Sequence, residues 1–290
     1  MADQQIKLKD GRILSVSEFG DRAGKPLLYC HGFPGSRLEA QLFETSAYQS
    51  HAKLIAVDRP GYGQSDYKSF QKLSEWVNDV SEITDILNLG RFSVLGVSGG
   101  GPYALACAHR IPSRLNNVGV VCGLGPVYEP WAIRDMHWPA RLGFTLAQRA
   151  PKLLRLVYGD LTSKVMRWNP EFLMSLLMVS APIADKIALK RPEVRQVFMM
   201  SAKESLRMGA QGALQDFVMY SHEWGFNIED ISLVINLWHG KSDATVPFSH
   251  SNHIAKRLHL ARPHFFPEEG HFSLPVNHAK DIIRTLTPQV

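Results

Sequence analysis

Five short, continuous apolar runs constrain this chain more than any other feature: residues 26–30 (Pro-Leu-Leu-Tyr-Cys), 54–57, 92–97, 118–122 and 234–238. A strand with one face in water alternates apolar and polar residues. A strand covered on both faces does not, because both sets of side chains meet a packed layer. Residues 12–19 do alternate, which predicts a half-exposed strand before the Gly20-Asp21 turn. Between the runs lie stretches of helical period. Over residues 73–89, Val77, Val80, Ile83 and Leu87 share one face, with Ser74 as N-cap, Glu75 in the first turn and Gly90 at the C-terminal end. Residues 102–109 read as an alanine-rich helix. Buried strands alternating with helices predict an α/β chain, a mostly parallel sheet flanked by helices.

The alternation stops over residues 127–225. No buried-strand pattern occurs there; residues 139–156 and 201–220 read as helices, with Pro151, Pro170, Pro182 and Pro192 as breaks. The expected organisation is a core of residues 1–126 and 226–290, carrying residues 127–225 as a helical cap, or lid. At 290 residues, 45% of them hydrophobic, the chain has enough apolar material for one large core.

The chemistry is expected at the strand ends. Gly96-Val97-Ser98-Gly99-Gly100 fits G-x-S-x-G and lies between a buried strand and a helix. That setting makes a tight turn and lifts the Ser98 hydroxyl above the sheet. A serine needs a base within hydrogen-bond reach. The candidate base is His271, in the loop Glu268-Glu269-Gly270-His271-Phe272 after the apolar stretch 264–266. The carboxylate that orients it is expected after the penultimate strand, where Asp243 stands; Glu129 is the rival. Acyl transfer also needs two fixed N–H donors for the developing oxyanion. Gly99 and Phe33 are the candidates, the second from the loop His31-Gly32-Phe33-Pro34-Gly35-Ser36, in which His31 reads as a turn organiser.

These segments, with Asp58-Arg59-Pro60-Gly61-Tyr62-Gly63-Gln64-Ser65-Asp66 and the loop 240–243, together resemble the α/β-hydrolase superfamily. The resemblance covers residues 12–126 and 233–288 and leaves out the insertion. It implies the α/β-hydrolase fold, a Ser-His-Asp triad of Ser98, His271 and Asp243, and catalysis without cofactor or metal. The loop at His31 and the segment 58–66 are similar to those of epoxide hydrolases and haloalkane dehalogenases, whose nucleophile is a carboxylate; position 98 is serine. Proline iminopeptidases carry Gly-Gly-Pro-Gly in the oxyanion loop, where this chain has Phe33 in place of the second glycine; that weighs against an iminopeptidase-like hydrolase and leaves it among the alternatives. Carbon–carbon bond hydrolases share the triad and stay open. A carboxylesterase or lactonase acting on a small to medium apolar acyl substrate is the leading reading, with a ligand-binding receptor on the same scaffold as the alternative.

Eight of the nine methionines fall in the insertion. Methionine adapts to irregular apolar shapes, so Met174 and Met178 are candidate substrate-pocket residues; ordinary helix packing explains the same composition. The insertion holds 13 Lys or Arg against 9 Asp or Glu and supplies most of the net charge of +5, read as a solvated basic face. No basic run or nucleic-acid motif accompanies that charge, so no nucleic-acid partner is expected. His250 and His253 share a helical face without carboxylate or thiol partners at ligand spacing, so no metal is expected. Three cysteines in apolar surroundings read as reduced, buried thiols and favour a cytoplasmic location. The N-terminal residues lack the apolar segment of a secretory signal, and no apolar run is long enough to span a membrane.

Overall fold

The computed structural model describes residues 2–169, 171, 175 and 178–288. Its centre is an eight-stranded sheet of β1 (Ala2–Lys7), β2 (Ile13–Gly20), β3 (Lys25–Cys30), β4 (Ala52–Val57), β5 (Phe92–Val97), β6 (Leu115–Val121), β7 (Ile235–Gly240) and β8 (Ala261–Phe266). The spatial order is β1-β2-β4-β3-β5-β6-β7-β8. The β1/β2 and β2/β4 pairs are antiparallel; every other pair is parallel. All five apolar runs form β3 to β7, with Cys122 just after β6 and Val234 just before β7. Their register stacks like with like: Leu28 stands opposite Ile55 on one side and Val94 on the other.

Helices cover both faces. Leu28, Val94, Val118, Val120 and Leu237 pack into one apolar cluster with Val80, Ile83, Leu105 and Ile254 from the helices Trp76–Ile86, Gly100–Arg110 and Ser249–Arg257. On the opposite face Tyr29, Leu95, Val97 and Trp238 pack with Ala47, Ile282 and Ile283 from Glu44–Gln49 and Ala279–Leu286. The parallel architecture follows, since neither face of β3 to β7 is left to water.

Several local readings need correction. The strand at 12–19 is buried on both sides: Ser15 and Ser17 are as enclosed as Leu14 and Val16. Ser15 N–H donates to Ser65 Oγ at 2.9 Å and Ser65 Oγ to the Asp58 carbonyl at 2.8 Å, so the polar face of β2 meets the loop after β4. Ser74 caps nothing: Lys72 takes the N-cap position of a short 3₁₀ turn, and Glu75 Oε1 accepts from the N–H groups of Gln71 and Lys72 at 3.0 and 2.9 Å. Asn88, not Gly90, turns left-handed after that helix, at φ 53°. Asparagine tolerates that conformation through its short polar side chain.

Between β6 and β7 the described residues form helices and turns and no strand. The segment 139–156 is broken at Ala150, where Trp138–Arg149 gives way to Pro151–Leu154 and a π-helical turn, Arg155–Leu161. The segment 201–220 is two helices, Pro192–Ser205 and Gln211–Tyr220. Among the described residues the insertion's own buried cluster is small: Leu189, Val194 and Met199. Phe144, Leu146, Phe217, Met219 and Trp224 belong to the same cluster as β5 and β6, so its first and last helices rest on the sheet's own helical layer.

Candidate active site

The site forms where β5 stops. Ser98 follows Val97 directly and sits at φ 55°, a left-handed conformation that costs a non-glycine residue about 1–3 kcal/mol. The neighbouring chain holds it there: Ser98 N–H donates to the Val121 carbonyl at 2.8 Å, and the N–H groups of Gly101 and Leu124 donate to the Ser98 carbonyl at 3.0 and 3.1 Å. A side chain at position 100 would lie 2.0 Å from the Cys30 carbonyl oxygen, so only glycine lets the following helix start against β3. Ser98 is lifted into position by the strand ends themselves.

The other two groups arrive from β7 and β8. Asp243 lies in the turn after β7, where its Oδ1 accepts from the N–H groups of Thr245 and Val246, both at 2.8 Å. Its Oδ2 is 2.8 Å from His271 Nδ1, and His271 Nε2 is 3.0 Å from Ser98 Oγ. With Nδ1–H donated to the carboxylate, Nε2 is left free to accept the serine proton. All three side chains are buried. Burial pulls the His271 pKa down, but the charges of Asp243, Asp185 and Glu39 and the Asp243 hydrogen bond outweigh it, and the net shift is upward. Burial pushes the Asp243 carboxyl up; His271 and His239 more than reverse this and hold it well below the usual carboxylate range.

Glu129, the rival acid, is elsewhere. Its carboxylate accepts from Trp131 Nε1 and pairs with Arg257 at 3.1 Å. The two candidate oxyanion residues lie side by side: a Cβ placed on Gly99 would lie 2.5 Å from Phe33 Cβ and 3.3 Å from Phe33 N. Neither N–H donates to an acceptor among the described residues.

The loop carrying Phe33 is held from below and behind. Glu39 accepts the Gly32 N–H at 3.2 Å and the Tyr29 hydroxyl at 2.7 Å. Arg59 donates to the carbonyls of His31 and Gly32 at 2.5 and 3.0 Å and to Asp216 at 2.7 Å. His31 Nδ1 is 2.9 Å from the Gly32 carbonyl and Nε2 accepts the Arg59 N–H at 3.2 Å. Burial, and after it the Arg59 charge, keeps this imidazole well below the ordinary histidine range and neutral. His31 is thus the turn organiser expected, and the segment 58–66 acts as its clamp.

The pocket residues fare differently. Met174 lies outside the described residues. Met178 is half-buried against a small cluster of Leu189, Val194 and Met199, which also takes in Phe272 beside the histidine. Met136 and Met219 are buried in the main core cluster, and Met208 is exposed, so these insertion methionines serve packing or face water.

Four groups near the site carry no recognisable spacing in the sequence: His239, Asp185, Asp216 and Tyr220. His239 Nε2 is 2.9 Å from the Val246 carbonyl and 3.3 Å from Asp243 Oδ2, while Nδ1 faces Ser251 Oγ at 2.6 Å. His239, Asp243 and Cys122 bring their ligand atoms within 4.8 Å of one another. As a metal set they fit poorly. Both imidazole nitrogens and both carboxylate oxygens are committed to protein partners, and burial holds the Cys122 thiol well above its ordinary pKa, against the thiolate a metal needs.

Residues 25–277 match the family model described as alpha/beta hydrolase fold. The chain belongs to that family. Relatives share it with different chemistries. The dihydrolipoyllysine-residue acetyltransferase component of the acetoin cleaving system of Pseudomonas putida is 33% identical over 117 residues, 40% of this chain and 31% of that one. This relative and four others are matched over less than half of their own length. The 2-hydroxymuconate semialdehyde hydrolase of Pseudomonas putida is 26% identical over 271 residues, 90% of this chain and 85% of the relative. Among solved structures, a thermophilic esterase from Thermogutta terrifontis superposes with a TM-score of 0.70 at 18% identity, covering 98% of this chain and 96% of the other. The structural likeness shows the alpha/beta hydrolase fold. No helix among the described residues is long and apolar enough to cross a membrane.

Proposed function

We propose that this alpha/beta hydrolase is a serine hydrolase that cleaves a carboxylic ester or lactone through an acyl-enzyme. The observation that carries the reading is the continuous hydrogen-bonded line from Asp243 through His271 to Ser98, at 2.8 and 3.0 Å, with Ser98 in its left-handed turn. His271 Nε2 takes the Ser98 proton as Oγ attacks the substrate carbonyl carbon. The N–H groups of Phe33 and Gly99 stabilise the oxyanion of the tetrahedral intermediate. Its collapse expels the alkoxide, which leaves as alcohol with the proton from His271; water then repeats the sequence and releases the acid. Asp243 fixes the imidazole tautomer and stabilises the imidazolium formed in each half.

Residues 127–225 act as the cap in this reading. They leave the sheet at the C-terminal end of β6, the end that carries the site, and rejoin it at the N-terminal end of the parallel β7; Asp185 and Tyr220 bring the insertion against the site between those two points. Apolar side chains stand beside the site: half-buried Phe33 meets Phe217 edge-on at 4.7 Å, and half-buried Met178 joins the cluster that takes in Phe272, which suits a small apolar acyl substrate. The reading requires no metal or other cofactor. Three buried, unpaired thiols, with Cys30 pushed up to about 12 by burial, support a reducing compartment such as the cytoplasm.

Carbon–carbon bond hydrolysis by the same triad is the second reading, supported by the likeness to 2-hydroxymuconate semialdehyde hydrolase along 90% of the chain. The test is a turnover screen of p-nitrophenyl esters of graded chain length, lactones and conjugated diketones, with wild type and Ser98→Ala side by side. Multiple turnovers of an ester or lactone, abolished in Ser98→Ala, support the first reading. Turnover of the diketones alone supports the second. Binding without turnover would replace both with a receptor on a hydrolase scaffold.

A further inference from the structure

The helix Ile183–Lys190 lies in the insertion, yet it reaches the histidine loop. Asp185, in its first turn, is 1% exposed and places its carboxylate over three consecutive backbone N–H groups. Oδ2 accepts from His271 N–H at 3.0 Å; Oδ1 accepts from Phe272 N–H at 2.9 Å and Ser273 N–H at 2.8 Å. A carboxylate so buried is costly unless its lone pairs are met, and these three charge-assisted bonds meet them. The loop is shaped to receive it. A Cβ on Gly270 would lie 2.4–2.5 Å from the Asp185 carboxylate atoms, so the glycine before His271 is the space Asp185 occupies. Apolar contacts back this up: Phe272 stacks edge-on with Phe198 at 5.1 Å and joins the cluster of Leu189, Val194 and Met199 from the same part of the insertion.

We propose that Asp185 is a positioning residue through which the insertion holds the His271 base in line with Ser98. The proposal rests on the triad reading above. The backbone of His271 has its N–H bound to the insertion, while its side chain bridges Asp243 and Ser98. Any displacement of the helix Ile183–Lys190 must therefore break three hydrogen bonds to the residues that carry the base. Cap docking and assembly of the base become one event, which ties base alignment to closure over a substrate.

Asp185→Asn separates positioning from bulk. An amide oxygen can keep two of the three N–H donors, but its NH2 then faces the third, and in the orientation that preserves Phe272 and Ser273 the lost bond is that of His271. The variant also removes one of the charges that raise the His271 pKa; the other groups facing that imidazole, Asp243, Glu39 and Ser98, are untouched.

The experiment is the rate of Ser98 phosphonylation by a fluorophosphonate probe across pH, with thermal unfolding measured alongside. Wild type and His271→Ala come first: if wild-type Ser98 is not labelled, or labelling does not depend on His271, the triad reading fails. Given His271-dependent labelling, Asp185→Asn is expected to slow it by about 10- to 100-fold, the scale of a small misplacement of a reacting group, and to move the acid limb to lower pH. A folded Asp185→Asn with wild-type rate and acid limb overturns the proposal. So does a smaller labelled fraction that reacts at the wild-type rate, which would make Asp185 a folding determinant only. If Asp185→Asn does not fold, Asp185→Glu keeps the charge and displaces it: a slower rate with an unmoved acid limb supports positioning, and an unchanged rate overturns it.

Discussion

The Tyr220 hydroxyl lies 2.8 Å from the carbonyl oxygen of Gly99. Gly99 is the residue after the proposed nucleophile, and Tyr220 closes the last helix of the insertion. The same hydroxyl is 3.1 Å from Asp216 Oδ2, a carboxylate that also accepts from Arg59, Tyr62 and Tyr103. A tyrosine has one proton to give, and the shorter contact is to Gly99. The insertion thus touches the proposed oxyanion donor as well as the histidine loop. Tyr220→Phe is expected to leave the Gly99 carbonyl without its buried partner and cost about 1–3 kcal/mol of stability. Turnover of an ester should fall with KM little changed, because the loss falls on the group meeting the transition state. Steady-state kinetics on the folded variant check this, and an unaltered turnover number would refute it.

The acid limb of activity should lie above the range of an ordinary histidine. Burial lowers the His271 pKa, but Asp243, Asp185 and Glu39 raise it further than burial lowers it. Only the neutral imidazole accepts the serine proton, so activity is present above the folded-state pKa and is lost as pH falls through it. A profile of kcat/KM against pH reads the free enzyme; a limb at or below about 6.5, the ordinary value, contradicts the geometry.

Asp243→Asn should cost on the order of 10²–10⁴ in turnover, since an amide that donates to Nδ1 imposes the wrong tautomer. Glu129→Gln should leave turnover within a few-fold of wild type. Its carboxylate serves Trp131 and Arg257, not His271. The reverse pattern would mean that the acid is misassigned. Thermal melts keep the comparison fair, because Asp243 also accepts two backbone N–H groups at 2.8 Å.

The parallel sheet and the members of the site were legible for one reason: each imposes a local composition. A strand buried on both faces must be apolar throughout, and a turn that begins a helix against β3 must have glycine at position 100. Asp243 and His271 were found from their places after β7 and β8. What the sequence left hidden is long-range. The strand β1 is the mostly polar segment Ala-Asp-Gln-Gln-Ile-Lys, held by pairing with β2 and by the one buried side chain of Ile6. Asp185 and Asp216 look like any surface acid until the fold brings them under a loop 86 residues on, or against an arginine 157 residues back. Gly270 was the one local trace of Asp185, visible as a glycine before the histidine but silent about what fills the space it leaves. The methionine-rich insertion left pocket lining and packing equally open. Met136 and Met219 are there because irregular packing between short helices suits a flexible side chain.

The acid stability of the chain should depend on His250, which pins the start of the insertion. Its Nδ1 accepts the Gly125 N–H at 2.8 Å and its Nε2 donates to the Ala132 carbonyl at 2.7 Å, so both nitrogens are committed in the neutral tautomer. Burial pulls its pKa down to about 4. The unfolded chain, with an ordinary histidine near 6.5, takes up a proton that the folded chain refuses. Stability is therefore fully present above the unfolded value, falls as pH drops through it, and stops falling on this account once the folded form protonates near pH 4. The two pKa values set the size of the effect at roughly 3 kcal/mol. His31 is buried neutral as well and adds a slope of the same sign, so the measurement must be a difference. Urea unfolding of wild type and His250→Asn at several pH values between 4 and 8 isolates it. The asparagine oxygen can still accept from Gly125, the Ala132 carbonyl loses its donor, and the variant should be less stable at pH 8. The gap between the two should narrow toward pH 4, because only wild type pays the protonation penalty. Parallel pH dependences would mean that His250 titrates alike in the folded and unfolded chain, and that its two contacts at the mouth of the insertion do not hold it neutral.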